Sequence, residues 1–264
     1  MRVITLKYSN TNTYLIEGER GTVLFDTGWT GTFTALCKAL GEEKKKLQDI
    51  DYVFISHFHP DHMGIAQEIA DKGPTIVAID LQVPYLHSSD SILSKDNKNY
   101  HPIVDDDIKV ISVSESRSLL ATMGIDGEVI YTPGHSEDSV SLWLDNGCLF
   151  VGDLNPLYEL EMYKGSDIEK SWNRLLGMNP SIIYYGHAKA KMMDDSIEEV
   201  YDNKDLYRLV SRVIKFIDKG YSIEKICRKT DADKGIIEDI NRMYLTHQNV
   251  GVQGILDRIE IKNK

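Results

Sequence analysis

Four residues in one short window carry the first chemical signal. The stretch ISHFHPDHMG places His57, His59, Asp61 and His62 within six positions. Imidazole nitrogens and carboxylate oxygens are competent donors for divalent cations of the zinc, iron and manganese type. The apolar run DYVFIS leads straight into this window and reads as a strand. In an extended chain alternate side chains share a face, so His57 and His59 are expected to point the same way. Pro60 then breaks the strand, and Asp61 and His62 open a helix that turns them in a second direction. One loop can therefore feed two adjacent metal positions. A histidine-rich surface loop is the bland alternative. An aspartate among three clustered histidines, at the end of a buried strand, weighs against it.

Three later residues repeat the theme. TPGHS puts His135 after the strand candidate GEVIYT, LFVGD puts Asp153 after a second apolar run, and IIYYGHA puts His187 after a third. Each follows a glycine (Gly134, Gly152, Gly186) that lets the backbone turn sharply. Taken singly, each reads as an ordinary turn residue. Together they set ligand-type side chains at the same end of successive strands, where layered α/β folds gather their sites.

The elements around them mix hairpins with strand-helix units. VITLKY, NTYLIEG and TVLFDTG read as antiparallel strands, and TFTALCKALG as a helix closed by Gly41. MGIAQEIADKG reads as one short amphipathic helix, and TIVAI as a buried strand. Residues 81–108 read as a polar insertion, and IKVISV, GEVIYT, SVSLWLD and CLFVGD as further strands. A helix near 168–176 precedes the strand SIIYYG. The pattern implies an α/β sandwich rather than a doubly wound sheet. From 196 onward the texture becomes helical, through IEEVYDNKDLYRLVSRVIKFIDKG, SIEKICRKT, ADKGIIEDINRMYL and GVQGILDRIE. The expected division is a catalytic domain over 1–195 and a helical extension over 196–264, docked as a cap or forming a homodimer surface. SIEKICRKTDADKGIIEDI also has helix-turn-helix spacing, but the acidity of the chain argues against DNA reading.

The series His57-x-His59-x-Asp61-His62, then His135, Asp153 and His187, resembles the metallo-β-lactamase superfamily. LFDTG with Asp26 and Gly28, DHMG with Gly64, and SWNRLLGMNPSIIYYGHA resemble that family in order, over about residues 1–190. The resemblance implies a four-layer αβ/βα sandwich. It implies a first metal on His57, His59 and His135, a second on Asp61, His62 and His187, and Asp153 bridging both. The last motif is Gly-His-Ala where the family commonly has Gly-His-Gly, a change that keeps the ligand His187. Iron redox members usually carry glutamate in the second motif position and a fused flavin domain. This chain has His59 there and no flavin-binding region, which favours hydrolysis.

Two cations about 3.5–4 Å apart can share one water and lower its pKa from 15.7 toward about 7, giving a nucleophilic hydroxide at neutral pH. Zinc suits these donors, and iron or manganese also fits. Asp61 is the candidate proton acceptor. Asp26 either orients a ligand histidine or stabilises its own turn. No G-x-S-x-G elbow, phosphate-binding loop or dinucleotide fingerprint occurs.

Composition bounds the rest. The 264 residues, 42% hydrophobic and 27% charged, suffice for one sizeable core. Three scattered cysteines form no disulfide framework, and the N-terminal stretch lacks an apolar leader, so cytoplasmic residence is expected with no membrane association. A net charge of −11 repels phosphate backbones, so a nucleic-acid partner is not expected. The leading expectation is a binuclear hydrolase of a small-molecule ester, thioester or lactone. A phosphodiesterase or ribonuclease of the same fold is the first alternative. An iron oxygenase or metal-binding regulatory protein is the second. Trp29, Tyr158 and Tyr163 are candidates for a substrate cleft, although core packing is the plainer role for each. His87, His101 and His247 fit no motif.

Overall fold

Strand alternation decides the layering. In the strand TVLF, Val23 and Phe25 face one core while Leu24 faces another. A strand buried on both faces must lie inside a layered structure. The computed structural model describes residues 1–97, 99–157, 160, 163–193, 204–232 and 234–246. It divides the chain into two compact units, Met1–Met192 and Met193–Lys264.

The first unit holds two sheets. One is ordered β1 (Arg2–Leu6), β2 (Thr13–Glu17), β3 (Thr22–Phe25), β4 (Tyr52–Phe54), β5 (Thr75–Ile79), β6 (Lys109–Ile111). Its first three strands are antiparallel, and β3 to β6 run parallel. The other is built from β7 (Gly127–Tyr131), β8 (Val140–Leu144), β9 (Cys148–Phe150), β10 (Ile182–Tyr184) and β11 (Lys191–Met192), in the order β11-β10-β9-β8-β7. Only the β9–β10 pair in that sheet is parallel.

The inter-sheet core joins Tyr14, Phe25, Phe54 and Val77 to Val129, Leu142 and Phe150. Phe150 stacks on Tyr184 with ring centres 4.6 Å apart and meets Tyr14 edge-on at 5.1 Å. On the far side of the first sheet, Leu24, Val53 and Ile76 meet α1 (Phe33–Glu42), the short α2 (Pro60–Met63), α3 (Ala66–Ala70) and α4 (Asp90–Asp96). Helix α5 (Ser116–Thr122) adds Leu119 and Leu120 to the inter-sheet core. Helix α6 (Asp167–Leu176) buries Trp172 and Leu175, and its Ser171 hydroxyl donates to the Pro133 carbonyl at 2.7 Å. Two sheets flanked by helices give the expected sandwich.

Three local expectations need correction. Helix α1 continues through Gly41, and the left-handed turn falls on Lys44 at φ +60°. A glycine inside a helix costs only about 1 kcal/mol, so one alone need not stop it. The helix after the histidine window is broken between Met63 and Ala66, giving α2 and α3. Residues 81–108 are not merely a polar insertion. Leu86, Leu93, Tyr100 and Ile103 from this segment are buried in the helix-side core. Their stripe is too thin among polar neighbours to register as periodic.

The second unit contains α7 (Lys204–Asp218), α8 (Ile223–Thr230) and α9 (Lys234–Thr246). Val210, Val213, Ile226, Ile237 and Ile240 form its core. Ser222 caps α8 by accepting from the Lys225 amide, and Asp231 ends it at φ +56°. The run GVQGILDRIE, Tyr158 and His247 lie outside the described residues. No helix among the described residues is long and apolar enough to cross a membrane.

Candidate metal centre

The candidate residues leave the sheets at one end. Asp26 directly follows β3, and the window from Ser56 to His62 follows β4. His135 follows β7, Asp153 follows β9 and His187 follows β10. Strand β4 ends at Phe54, so His57 and His59 sit in a loop, and strand pleat is not what aligns them. Main-chain bonds hold that loop instead. The Val140 amide donates to the Ser56 carbonyl at 2.8 Å, and the Phe58 amide donates to Asp138 Oδ2 at 2.7 Å. Gln82 Nε2 donates to the carbonyls of Ile55 and Asp138, both at 3.0 Å. Pro60 occupies the first turn of α2, where its missing N–H costs nothing, and Asp61 and His62 follow it.

The side chains gather as two sets. His57, His59 and His135 form one, and Asp61, His62, Asp153 and His187 form the other. Within each set, one donor atom per residue lies within 4.8 Å of the others. Asp153 reaches both sets: its Oδ2 is 3.3 Å from His187 Nε2 and 3.7 Å from His135 Nε2, and its Oδ1 is 3.2 Å from His62 Nε2. His187 Nε2 is also 3.0 Å from Asp61 Oδ2. All seven residues picked from the sequence therefore converge.

Burial is graded across the centre. His57 and His62 are fully enclosed, His59, His135, Asp61 and Asp153 are half-buried, and His187 is exposed. The cleft thus opens on the His187 side. Three atoms test whether cations suit it. His57 Nε2 is buried without a hydrogen-bond partner among the described residues, and the buried His62 Nε2 and Asp153 Oδ1 face each other at 3.2 Å without a well-aligned bond. Orphaned buried donors and acceptors are rare because each forfeits its hydration. A donor set of imidazoles and carboxylates aimed at a common space is what divalent transition metals require. The residues fit divalent metal ions.

Electrostatics among these side chains divide the histidines. Burial, reinforced by the neighbouring His62, pushes His57 well below the ordinary imidazole range. Burial likewise lowers His135. For His62 burial is outweighed by the carboxylates of Asp153 and Asp26, which hold it well above that range. His187 is raised to about 10, the desolvation of its ring on the cluster side overcome by Asp153 and Asp61. Reciprocally, burial of Asp153 is overcome by His62 and His187, which keep it well below the usual carboxylate range.

Around the ligands stand groups that fix them. Asp26 Oδ2 lies 2.9 Å from His62 Nδ1, so Asp26 contacts a ligand histidine directly. His187 Nδ1 faces the Asn10 carbonyl at 3.0 Å, and the Thr11 hydroxyl donates to the Asp61 carbonyl at 2.8 Å. Asn12 Nδ2 donates to the carbonyls of Tyr185 and Ala188 at 2.9 and 2.8 Å, and the Asn12 amide donates to Gly186 at 2.7 Å. The first hairpin thereby grips the last ligand loop. Sequence reasoning missed Ser56, Asn12, Gln82 and Asp138. Only Ser56 carried a signal, its position next to His57.

Other candidates fall elsewhere. Trp29 packs against the helix-side core, and Tyr163 OH accepts from Asn155 Nδ2 at 3.0 Å. His87 and His101 are exposed and pair with Asp90, Asp105 and Asp71.

A profile described as the metallo-beta-lactamase superfamily matches residues 7–187. The chain belongs to the metallo-β-lactamase superfamily. A superfamily relative named probable metallo-hydrolase MJ0888, from Methanocaldococcus jannaschii, is 32% identical over 146 residues, covering 54% of this chain and 66% of the relative. A Drosophila melanogaster protein named beta-lactamase-like protein 2 homolog is 28% identical over 181 residues, covering 67% of this chain and 58% of the relative. The chain thus spans less than two thirds of the length of either relative. Among solved structures, the metallo-beta-lactamase family protein TTHA1429 from Thermus thermophilus matches with a TM-score of 0.56 at 20% identity, covering 79% of this chain and 80% of that one. TTHA1623, solved in a di-iron-bound form, matches with a TM-score of 0.55 at 20% identity, covering 73% and 94%. These likenesses share the superfamily fold.

Proposed function

We propose that this chain is a binuclear metal-dependent hydrolase of a small-molecule ester, thioester or lactone. One observation carries the reading: Asp153 touches both ligand sets in a cleft whose His187 edge is exposed. Relatives named metallo-hydrolases support the broader class. His57, His59 and His135 would hold one ion, and Asp61, His62 and His187 the other, with Asp153 between them. Two ions bound there would supply a Lewis acid for the scissile group and a water acidified to near neutrality.

The chain's own residues do the remaining work. Asp61, half-buried beside His187, is placed to accept a proton at Oδ2. The enclosed imidazoles of His57 and His62 form a dry floor, which strengthens electrostatic interaction with a bound substrate. The net charge of −11 favours a small molecule over a nucleic acid. Zinc is the metal proposed.

The test is metal analysis of the purified chain with hydrolysis assays on a p-nitrophenyl ester, an acyl thioester, a lactone and a phosphodiester. Two zinc ions per chain, with one carbonyl substrate cleaved and cleavage lost in His59→Ala, is the expected result. Cleavage of the phosphodiester alone would move the assignment to the phosphodiesterase reading. Two iron ions without hydrolysis would move it to oxygen chemistry.

A further inference from the structure

Ser56 and Asp26 belong to neither ligand set, yet they join them. Both are fully buried beneath the cluster. Ser56 Oγ lies 3.0 Å from Asp26 Oδ2, 3.0 Å from His57 Nδ1 and 3.3 Å from His62 Nδ1. Asp26 Oδ2 is nearer to His62 Nδ1, at 2.9 Å. The Ser56 amide closes the contact by donating to Asp26 Oδ1 at 2.7 Å.

Proton counting directs these bonds. A carboxylate only accepts, and a serine hydroxyl carries a single hydrogen. Ser56 therefore gives its hydrogen to Asp26 Oδ2 and leaves an oxygen lone pair toward His57. His57 Nδ1 must then carry a hydrogen, and its Nε2 lone pair is left for a metal. His62 Nδ1 donates to Asp26 in the same way, which aims its Nε2 at Asp153 Oδ1, 3.2 Å away, and leaves that nitrogen as the one a metal would take in place of a proton. Both Nε2 atoms are buried, His57 Nε2 without a hydrogen-bond partner among the described residues and His62 Nε2 facing only carboxylate oxygens of the second set.

The backbone has made room for this arrangement. Asp26 holds a left-handed conformation at φ +65°, which aspartate tolerates better than most residues. Gly152, at φ +54°, leads into Asp153, and a Cβ on it would lie 2.6 Å from the Ser56 hydroxyl.

We propose that Ser56 and Asp26 form one positioning relay, in which a single carboxylate fixes the tautomer of a ligand histidine in each set and so tunes both metal positions together. The inference rests on the metal reading above. Asp26 acts directly on His62 and through Ser56 on His57. The two residues therefore have different footprints. Removing the hydroxyl disturbs one metal position, and removing the carboxylate disturbs both.

The experiment compares the full chain with Ser56→Ala and Asp26→Asn. Zinc affinity at each position is measured by chelator competition, and imidazole nitrogens are followed by long-range ¹H–¹⁵N spectra of metal-free and zinc-loaded protein. Ser56→Ala is expected to weaken the His57 position about 10–100-fold and leave the other unchanged, whereas Asp26→Asn weakens both by that order. Metal-free Ser56→Ala should lose the fixed Nδ1–H signature of His57 while His62 keeps its own. The proposal is overturned if Ser56→Ala leaves the His57 signature and both affinities as in the parent, or if Asp26→Asn affects the His62 position alone. Should Asp26→Asn fail to fold, the His57 signature in Ser56→Ala decides. A parent chain that takes up no zinc would sink the hydrolase reading, and the metal-free spectra would still judge the relay.

Discussion

His59 Nδ1 and His135 Nε2 face each other across 3.1 Å, although 76 residues separate them in the chain. With His57 they form the first candidate ligand set. Replacing either His59 or His135 by alanine should remove that ion while sparing the second. The expected result is one metal per chain in place of two by elemental analysis. Its affinity loss should exceed the roughly 100-fold ceiling of outer-sphere changes. An unchanged metal content in both variants would break the assignment of this set.

Metal removal should register as lost stability of the first unit. A ligand present at 100 times its dissociation constant stabilises by about 2.7 kcal/mol per site. For a unit of this size, each kcal/mol moves the melting temperature by about 2–4 °C. Chelation should therefore lower the transition by about 5–10 °C or more, measured by scanning calorimetry, and zinc should restore it. The helices of 204–246, with their own core, should keep their far-ultraviolet signal at the lower temperature.

Asp61→Asn tests the proton acceptor. The amide keeps the shape and loses the basic oxygen that faces His187 at 3.0 Å. Turnover should fall about 10²–10⁴-fold, the usual contribution of a positioned acid or base. Circular dichroism should be unchanged. A variant with near-parental kcat would reassign the role.

Gly186→Ala should harm the centre without replacing any candidate ligand. Gly186 has no left-handed backbone, so conformation alone would admit alanine. Space does not: its Cβ would lie 2.4 Å from Asp153 Oδ1 and 2.9 Å from His62 Cε1. Overpacking of this kind costs about 1–3 kcal/mol. The variant should melt earlier and bind metal more weakly at both positions, as isothermal titration would report.

His87 offers a pH dependence away from the centre. Its Nδ1 and Nε2 lie 2.8 Å from Asp90 and Asp105, which raise its pKa above the ordinary imidazole value. A raised folded-state pKa adds stability that is complete below the unfolded value of about 6.5 and lost as pH rises through the folded one. The residue is half exposed, so solvent screening keeps the effect under about 1 kcal/mol. His87→Ala should melt earlier than the parent at pH 6 and equally at pH 9. A pH-independent difference would assign the loss to packing.

The candidate ligands were legible as a group because metal chemistry restricts residue type and spacing. His57 to His62 announce themselves as a group, and His135, Asp153 and His187 by their place after apolar strands. Their glycines were only partly legible. Gly134 and Gly152 take positive φ as a turn requires, whereas Gly186 is needed for close approach, which no local pattern displays. Asp26 could be read two ways because an aspartate in a turn and one bonded to a distant histidine have the same sequence signature. Asn12 was invisible for a similar reason. Its partners lie 173 and 176 residues away, and ordinary polar residues at strand starts look the same. The buried stripe of 81–108 escaped because four apolar side chains among polar neighbours have no period.

That grip of Asn12 on the loop of His187 also sets an order of events during synthesis. The amide leaves the ribosome early, and the carbonyls it binds belong to Tyr185, Gly186 and Ala188. At about 5–20 residues per second, the first hairpin waits about 10–35 seconds for its partners to be made. On the proposed metal reading the second position would lack its last imidazole until then, and the three-histidine set, complete once His135 emerges, would load first. Metal acquisition by the growing chain is therefore expected to be stepwise, with the exposed edge closed last by the two ends of the first unit meeting.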